Sequence, residues 1–87
     1  MTTWKHRQNS LQKTFIFENF ETAIQFMQEA SIEISHLNHH PEWTNIYNKV
    51  EVKLTTHDAN STVTEKDYKL AEILDLVSVR IKNKKTT

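Results

Sequence analysis

Four of the five histidines in this 87-residue chain fall between His36 and His57. The stretch opens His36-Leu37-Asn38-His39-His40-Pro41-Glu42-Trp43 and closes Thr55-Thr56-His57-Asp58. Imidazole is the side chain whose ordinary pKa lies near neutrality, so such a cluster points to proton transfer or to metal binding. In the first reading, imidazoles at one pocket donate and accept protons, each well-placed transfer being worth roughly 10²–10⁴ in rate. In the second, His36, His39, His40 and His57, with Glu42 or Asp58, supply nitrogen and oxygen ligands. The spacing is not the helical i, i+4 pair of a zincin, and adjacent histidines in extended chain diverge, which weakens that reading. No serine with an evident elbow accompanies the cluster, and cysteine is absent, so covalent catalysis is not suggested. A third reading has no chemistry at all: a small adaptor that dimerises.

The elements that must position these side chains are legible in the hydrophobic pattern. Residues 3–8 and 11–17 read as a hairpin turning at Gln8-Asn9-Ser10, with Leu11, Lys13, Phe15 and Phe17 on one face and Trp4 anchoring a polar edge strand. Residues 19–37 carry a helical period through Phe20, Ala23, Ile24, Met27, Ala30, Ser31 and Ile34, capped by Asn19. Pro41 requires that helix to have ended, which puts His36 in its last turn and His39-His40 on the way out. Residues 43–47 and 50–56 form a second hairpin with a turn at Asn48-Lys49. Val50, Val52 and Leu54 alternate there with polar residues, the pattern of a sheet with one wet face. Thr64-Glu65-Lys66-Asp67 resembles a capping box opening a last helix, whose inward stripe is Leu70, Ala71, Leu74, Val77 and Ile81. Ile73, Leu76 and Val79 widen that apolar surface and predict self-association.

The order β-β-α-β-β-α predicts an α+β fold: a four-stranded antiparallel sheet with two helices on one face, residues 1–87 forming one domain. The helix-end and strand-end histidines converge if the second hairpin packs beside the first helix. Glycine is absent, so asparagine is the cheapest residue for left-handed backbone; Asn9, Asn38, Asn48 and Asn60 are the expected positions.

Composition narrows the partners. A chain of this size buries only ~60–65% of its unfolded surface, and without cysteine no disulfide can compensate; oligomerisation can. Eleven basic and eleven acidic residues balance, which argues against direct nucleic-acid binding. The lysines Lys82, Lys84 and Lys85 fit a soluble tail. No apolar run approaches a membrane span, no signal-type segment follows the N-terminus, and a cytoplasmic location is expected.

Asn38-His39-His40-Pro41-Glu42-Trp43, Tyr47-Asn48-Lys49-Val50 and Leu54-Thr55-Thr56-His57, with Asp67 beyond, resemble the pterin-4a-carbinolamine dehydratases. The spacing is specific: His-His-Pro, five residues, an aromatic, nine residues, His, then Asp. The likeness runs from Trp4 to about Val79 and includes Phe15-x-Phe17-x-x-Phe20 at a strand-to-helix junction. It implies a hydro-lyase that converts 4a-hydroxytetrahydropterin to quinonoid dihydropterin and water, recycling the cofactor of aromatic amino-acid hydroxylases, with neither metal nor organic cofactor. By the same resemblance His39 and His57 act as general acids and His40 binds and orients the pterin. Asn38, Pro41, Trp43, Thr55, Thr56 and Asp58 make up the rest of the substrate site. A homodimer or homotetramer is implied. Some animal members also act as dimerisation cofactors of a homeodomain factor, so the alternative is a regulatory adaptor working through Leu70–Ile81. Two departures stand out. Ser35 occupies the position, four before His39, where the family usually carries an ionisable side chain, and His36 is rotated about 100° from it. The N-terminal helix of longer members is expected to be missing.

Overall fold

The structure, a computed structural model, describes residues 4–57, 60 and 62–84. Its elements are β1 (Lys5–Arg7), β2 (Ser10–Ile16), α1 (Phe20–Leu37), β3 (Glu42–Ile46), β4 (Lys49–Leu54) and α2 (Glu65–Lys84). The strands form one antiparallel sheet in the order β1-β2-β4-β3. Leu11, Phe15 and Phe17 from β2 and its exit, with Val50, Val52 and Leu54 of β4, bury their side chains against both helices. The alternate residues, among them Glu51, Lys53 and Thr44, face out, so the helices share one face as the sequence pattern predicts. The β1 and β4 spans are shorter than expected, and β2 and β3 each begin one residue earlier.

The helices differ in how well periodicity located their buried faces. On α2 the expected stripe is right: Leu70, Ala71, Leu74, Val77 and Ile81 are all buried. On α1 the face is turned. Phe20 is exposed and Met27 only partly buried, while Ala23, Phe26, Ala30 and Ile34 form the seam. Phe26 decides the rotation. Its ring sits 4.9 Å from Phe15 and 5.0 Å from Phe17, in tilted aromatic contact, with Trp43 at 6.4 Å. Alanines three residues before and four residues after it let the helix approach the sheet closely.

Caps and turns follow the glycine-free logic at three of the four expected asparagines. Asn9, Asn38 and Asn60 have positive φ, and Gln8 joins Asn9 in the first hairpin loop, as a two-residue primed turn requires. Asn48 does not; Tyr47 takes the left-handed position at φ 52°, and the second loop is Tyr47-Asn48 rather than Asn48-Lys49. Asn48 is used differently. Its side-chain amide donates to the Phe17 carbonyl at 2.9 Å, and its own carbonyl accepts from Phe17 N–H at 2.8 Å. Asn45 supports the unusual tyrosine by donating to the carbonyls of Tyr47 and Lys49. Asn19 caps α1 as expected, accepting from Thr22 N–H at 2.8 Å.

Candidate active site

Three chain ends meet at one end of the sheet, and each is stopped there for a local reason. Helix α1 ends at Asn38, whose left-handed backbone (φ 55°, ψ 41°) closes the last turn through bonds to the Ile34 and Ser35 carbonyls. The chain reverses there, and His39 and His40 fall at the helix end rather than along it. Strand β4 runs out at Leu54, and Thr55 and Thr56 stay buried. Thr55 Oγ1 donates to the Asn9 carbonyl at 2.8 Å, tying the strand end to the first hairpin. Thr56 pairs with Thr62 through both backbone bonds, which closes the loop containing His57. Helix α2 begins at the expected capping box: Asp67 Oδ2 accepts from Thr64 N–H at 2.9 Å, and Thr64 Oγ1 accepts from Lys66 N–H at 3.3 Å.

Asn38, His39, His40, Thr55, Thr56, His57 and Lys66 line one open pocket of about 240 Å³. Of the residues expected in the site, six are therefore brought together. Asp58 lies outside the described residues. Pro41 and Trp43 line a separate, broader depression that extends over the strand face with Glu42, Thr44 and Lys53. The Trp43 side chain packs on the core beside Phe26, which accounts for its aromatic character without a ligand. His36 and Ser35 are exposed on the last turn of α1 and do not line the pocket. Among the described residues, no group of three or more His, Asp or Glu side chains is arranged to hold a metal ion.

The sequence does not single out Lys66 as part of the pocket and shows only part of what Asp67 does. Lys66 forms part of the wall, and only the local capping pattern hinted at where its residue would sit. Asp67 reads in the sequence as a capping residue and as part of the family spacing, but it does more. Its carboxylate is fully buried, and Oδ1 lies 2.6 Å from His39 Nε2. Its other oxygen accepts from Thr56 Oγ1 at 2.7 Å besides Thr64 N–H. A buried carboxylate is tolerated only where its lone pairs are met by donors, and these partners meet them. No sequence pattern places His39, twenty-eight residues upstream, against Asp67; only the meeting of the two helix ends does.

The site is thus an imidazole–carboxylate dyad opening on a polar pocket with two further imidazoles, in a two-layer α+β domain, and these are side chains whose chemistry suits proton transfer. Residues 1–77 match the family model described as pterin 4 alpha carbinolamine dehydratase, and the chain belongs to that family of hydro-lyases. It is 45% identical over 75 residues to a protein of Opitutus terrae named for that activity, a span covering 86% of this chain and 77% of the relative. A Sinorhizobium fredii protein of the same name is 53% identical over 66 residues, or 76% of this chain and 62% of that one. A crystal structure from Brucella melitensis, described as a transcriptional coactivator/pterin dehydratase, superposes with a TM-score of 0.81 at 39% identity, covering 86% of this chain and 81% of the other.

Proposed function

We propose that this chain dehydrates a 4a-hydroxytetrahydropterin to the quinonoid dihydropterin, with its histidines as the acid–base groups. The observation that carries the reading is the convergence of His39, His40 and His57 on one pocket, with His39 held by a buried carboxylate. In the reaction the lone pair of the pterin N5 moves in to form C4a=N5 as the C4a–O bond breaks. An imidazolium gives its proton to the departing hydroxyl, which leaves as water. The N5–H proton then passes to a neutral imidazole, so the proton inventory closes. Hydroxide is a poor leaving group, and its protonation is the step at which a general acid lowers the barrier most.

His39 is assigned as the principal acid because the fully buried carboxylate of Asp67 holds its ring in place beside the pocket. His57, on the loop after β4, is the second acid–base group, and His40 orients the pterin with Asn38, Thr55 and Thr56. The resulting dihydropterin would return to the pool that serves aromatic amino-acid hydroxylases. A stopped assay of carbinolamine dehydration on the purified protein is the direct test. Acceleration over the spontaneous reaction supports the reading, and a rate equal to the uncatalysed one rejects it.

A regulatory adaptor is the second reading, and α2 supplies its observation: Leu76 and Val79 are exposed at 63% and 47%. Large apolar side chains on a helix favour burial against a partner. Sedimentation of wild type and of a Leu76→Glu/Val79→Glu variant tests it. A change from oligomer to monomer supports the surface as an interface, and identical behaviour removes it.

A further inference from the structure

The hydroxyls of Thr56 and Thr64 form a chain behind the dyad, and counting donors fixes its direction. Thr56 Oγ1 is 2.7 Å from Asp67 Oδ2 and 2.7 Å from Thr64 Oγ1. A threonine hydroxyl has one proton to give. Thr56 gives its proton to the carboxylate, so Thr64 must donate to Thr56. Thr64 in turn accepts from the Lys66 N–H. The sequence Lys66 N–H, Thr64 O–H, Thr56 O–H therefore runs one way and ends on Asp67 Oδ2, which also takes the Thr64 N–H. Ionised Asp67 is acceptor-only, so its remaining partner, His39 Nε2, supplies the proton to Oδ1 at 2.6 Å.

This places the working atom of His39. Among the described residues no buried side-chain nitrogen or oxygen lacks a hydrogen-bond partner. Among the described residues Nδ1 of His39 has no hydrogen-bond partner and therefore is not buried, and the residue lines the pocket. We infer that Thr64, Thr56 and Asp67 are positioning residues that lock His39 with its proton on Nε2, so that Nδ1 is the nitrogen that exchanges protons with the substrate. After Nδ1 gives its proton to the leaving hydroxyl, the ring is neutral, with Nε2–H still on Asp67. The N5–H proton or a solvent proton restores Nδ1–H. The inference rests on the proposed dehydration for its substrate, but the tautomer itself does not depend on it.

The experiment reads both. In ¹⁵N-histidine-labelled protein at a pH where the rings are neutral, the His39 resonances, assigned with His39→Ala, should show a protonated Nε2 and a bare Nδ1. A bare Nε2 in the wild type overturns the inference, whatever the enzymatic rate. In Asp67→Asn the amide oxygen can still accept from Thr56 and Thr64, while the amide N–H faces Nε2 and should move the ring proton to Nδ1. Its kcat should fall by about 10²–10⁴ with KM little changed. Removing the chain's last hydroxyl in Thr56→Val should lower kcat about tenfold, the size of one hydrogen bond to a charged group, and Thr56→Ser should restore it. Unchanged kcat in a folded Thr56→Val, or no recovery in Thr56→Ser, removes the threonines from the account. Wild-type activity equal to background with Nε2 protonated rejects the dehydration and leaves the tautomer standing.

Discussion

Helix α2 carries two aspartates that each meet a cation-forming side chain from another element, and they do opposite work. Asp67, at the first turn, is fully buried and meets His39 beside a pocket. Asp75, two turns on, keeps 41% of its side chain exposed and pairs with Lys13 of β2 at 2.7 Å. It also accepts from Trp4 Nε1 at 3.1 Å to each oxygen. Lys13 lies over the Phe15 ring at 4.7 Å, so its stem and charge pack among aromatics on the sheet's inner side. That cluster staples the short polar β1 end to α2, and the depression that Lys13 lines holds no histidine among the described residues. The lesson is that an ion pair by itself says little. What separates the two is complete burial, the partner's ability to exchange a proton near neutral pH, and a neighbouring space for a substrate.

The two aspartate sites should differ most at the histidine end. The double change His39→Ala/His57→Ala should nearly abolish dehydration, each single change costing about 10²–10⁴ in rate, with the far-ultraviolet circular dichroism unchanged. Asp67→Ala should lose both activity and fold stability. It removes the capping acceptor and leaves His39 and Thr56 without their partner, a loss of about 3 kcal/mol measurable by urea unfolding. Phe26→Ala should lower stability by about 3–5 kcal/mol through the cavity it leaves, a loss that does not pass through any histidine. Asp75→Ala should cost about 1–3 kcal/mol, because Trp4 Nε1 and the largely buried Lys13 lose their acceptor, and should leave kcat unchanged. His36→Ala should alter the rate least, by less than about twofold, since its ring lies outside the pocket; a large loss there would show that it acts in place of the acidic side chain missing at Ser35.

Much of the architecture was legible because it depends on local rules. Alternation in Val50–Leu54, the Asn19 cap, the Thr64–Asp67 box and the α2 stripe are each set by residues a few positions apart. The errors have a common source in contacts made across the chain. Phe26 turned α1 because three aromatic rings from the sheet receive it, and no window on α1 contains them. Asn48 kept an ordinary φ because Phe17 uses both its side chain and its carbonyl. Within the site, His39, His40 and His57 could be chosen from their positions at element ends and from the family spacing. Trp43 stands inside the same motif, yet its ring packs on the core. Asp67 illustrates the reverse case: its capping role is local and readable, while its hold on His39 exists only once both helices are packed.

Dehydration of a pterin carbinolamine in this pocket, through its histidines, is the proposal on which the residue roles rest. It is tested most directly by measuring the dehydration rate of the wild type and of His39→Ala/His57→Ala side by side under one set of conditions. The account predicts clear acceleration by the wild type and a rate close to the spontaneous one for the folded double variant. Equal acceleration by both proteins would contradict it.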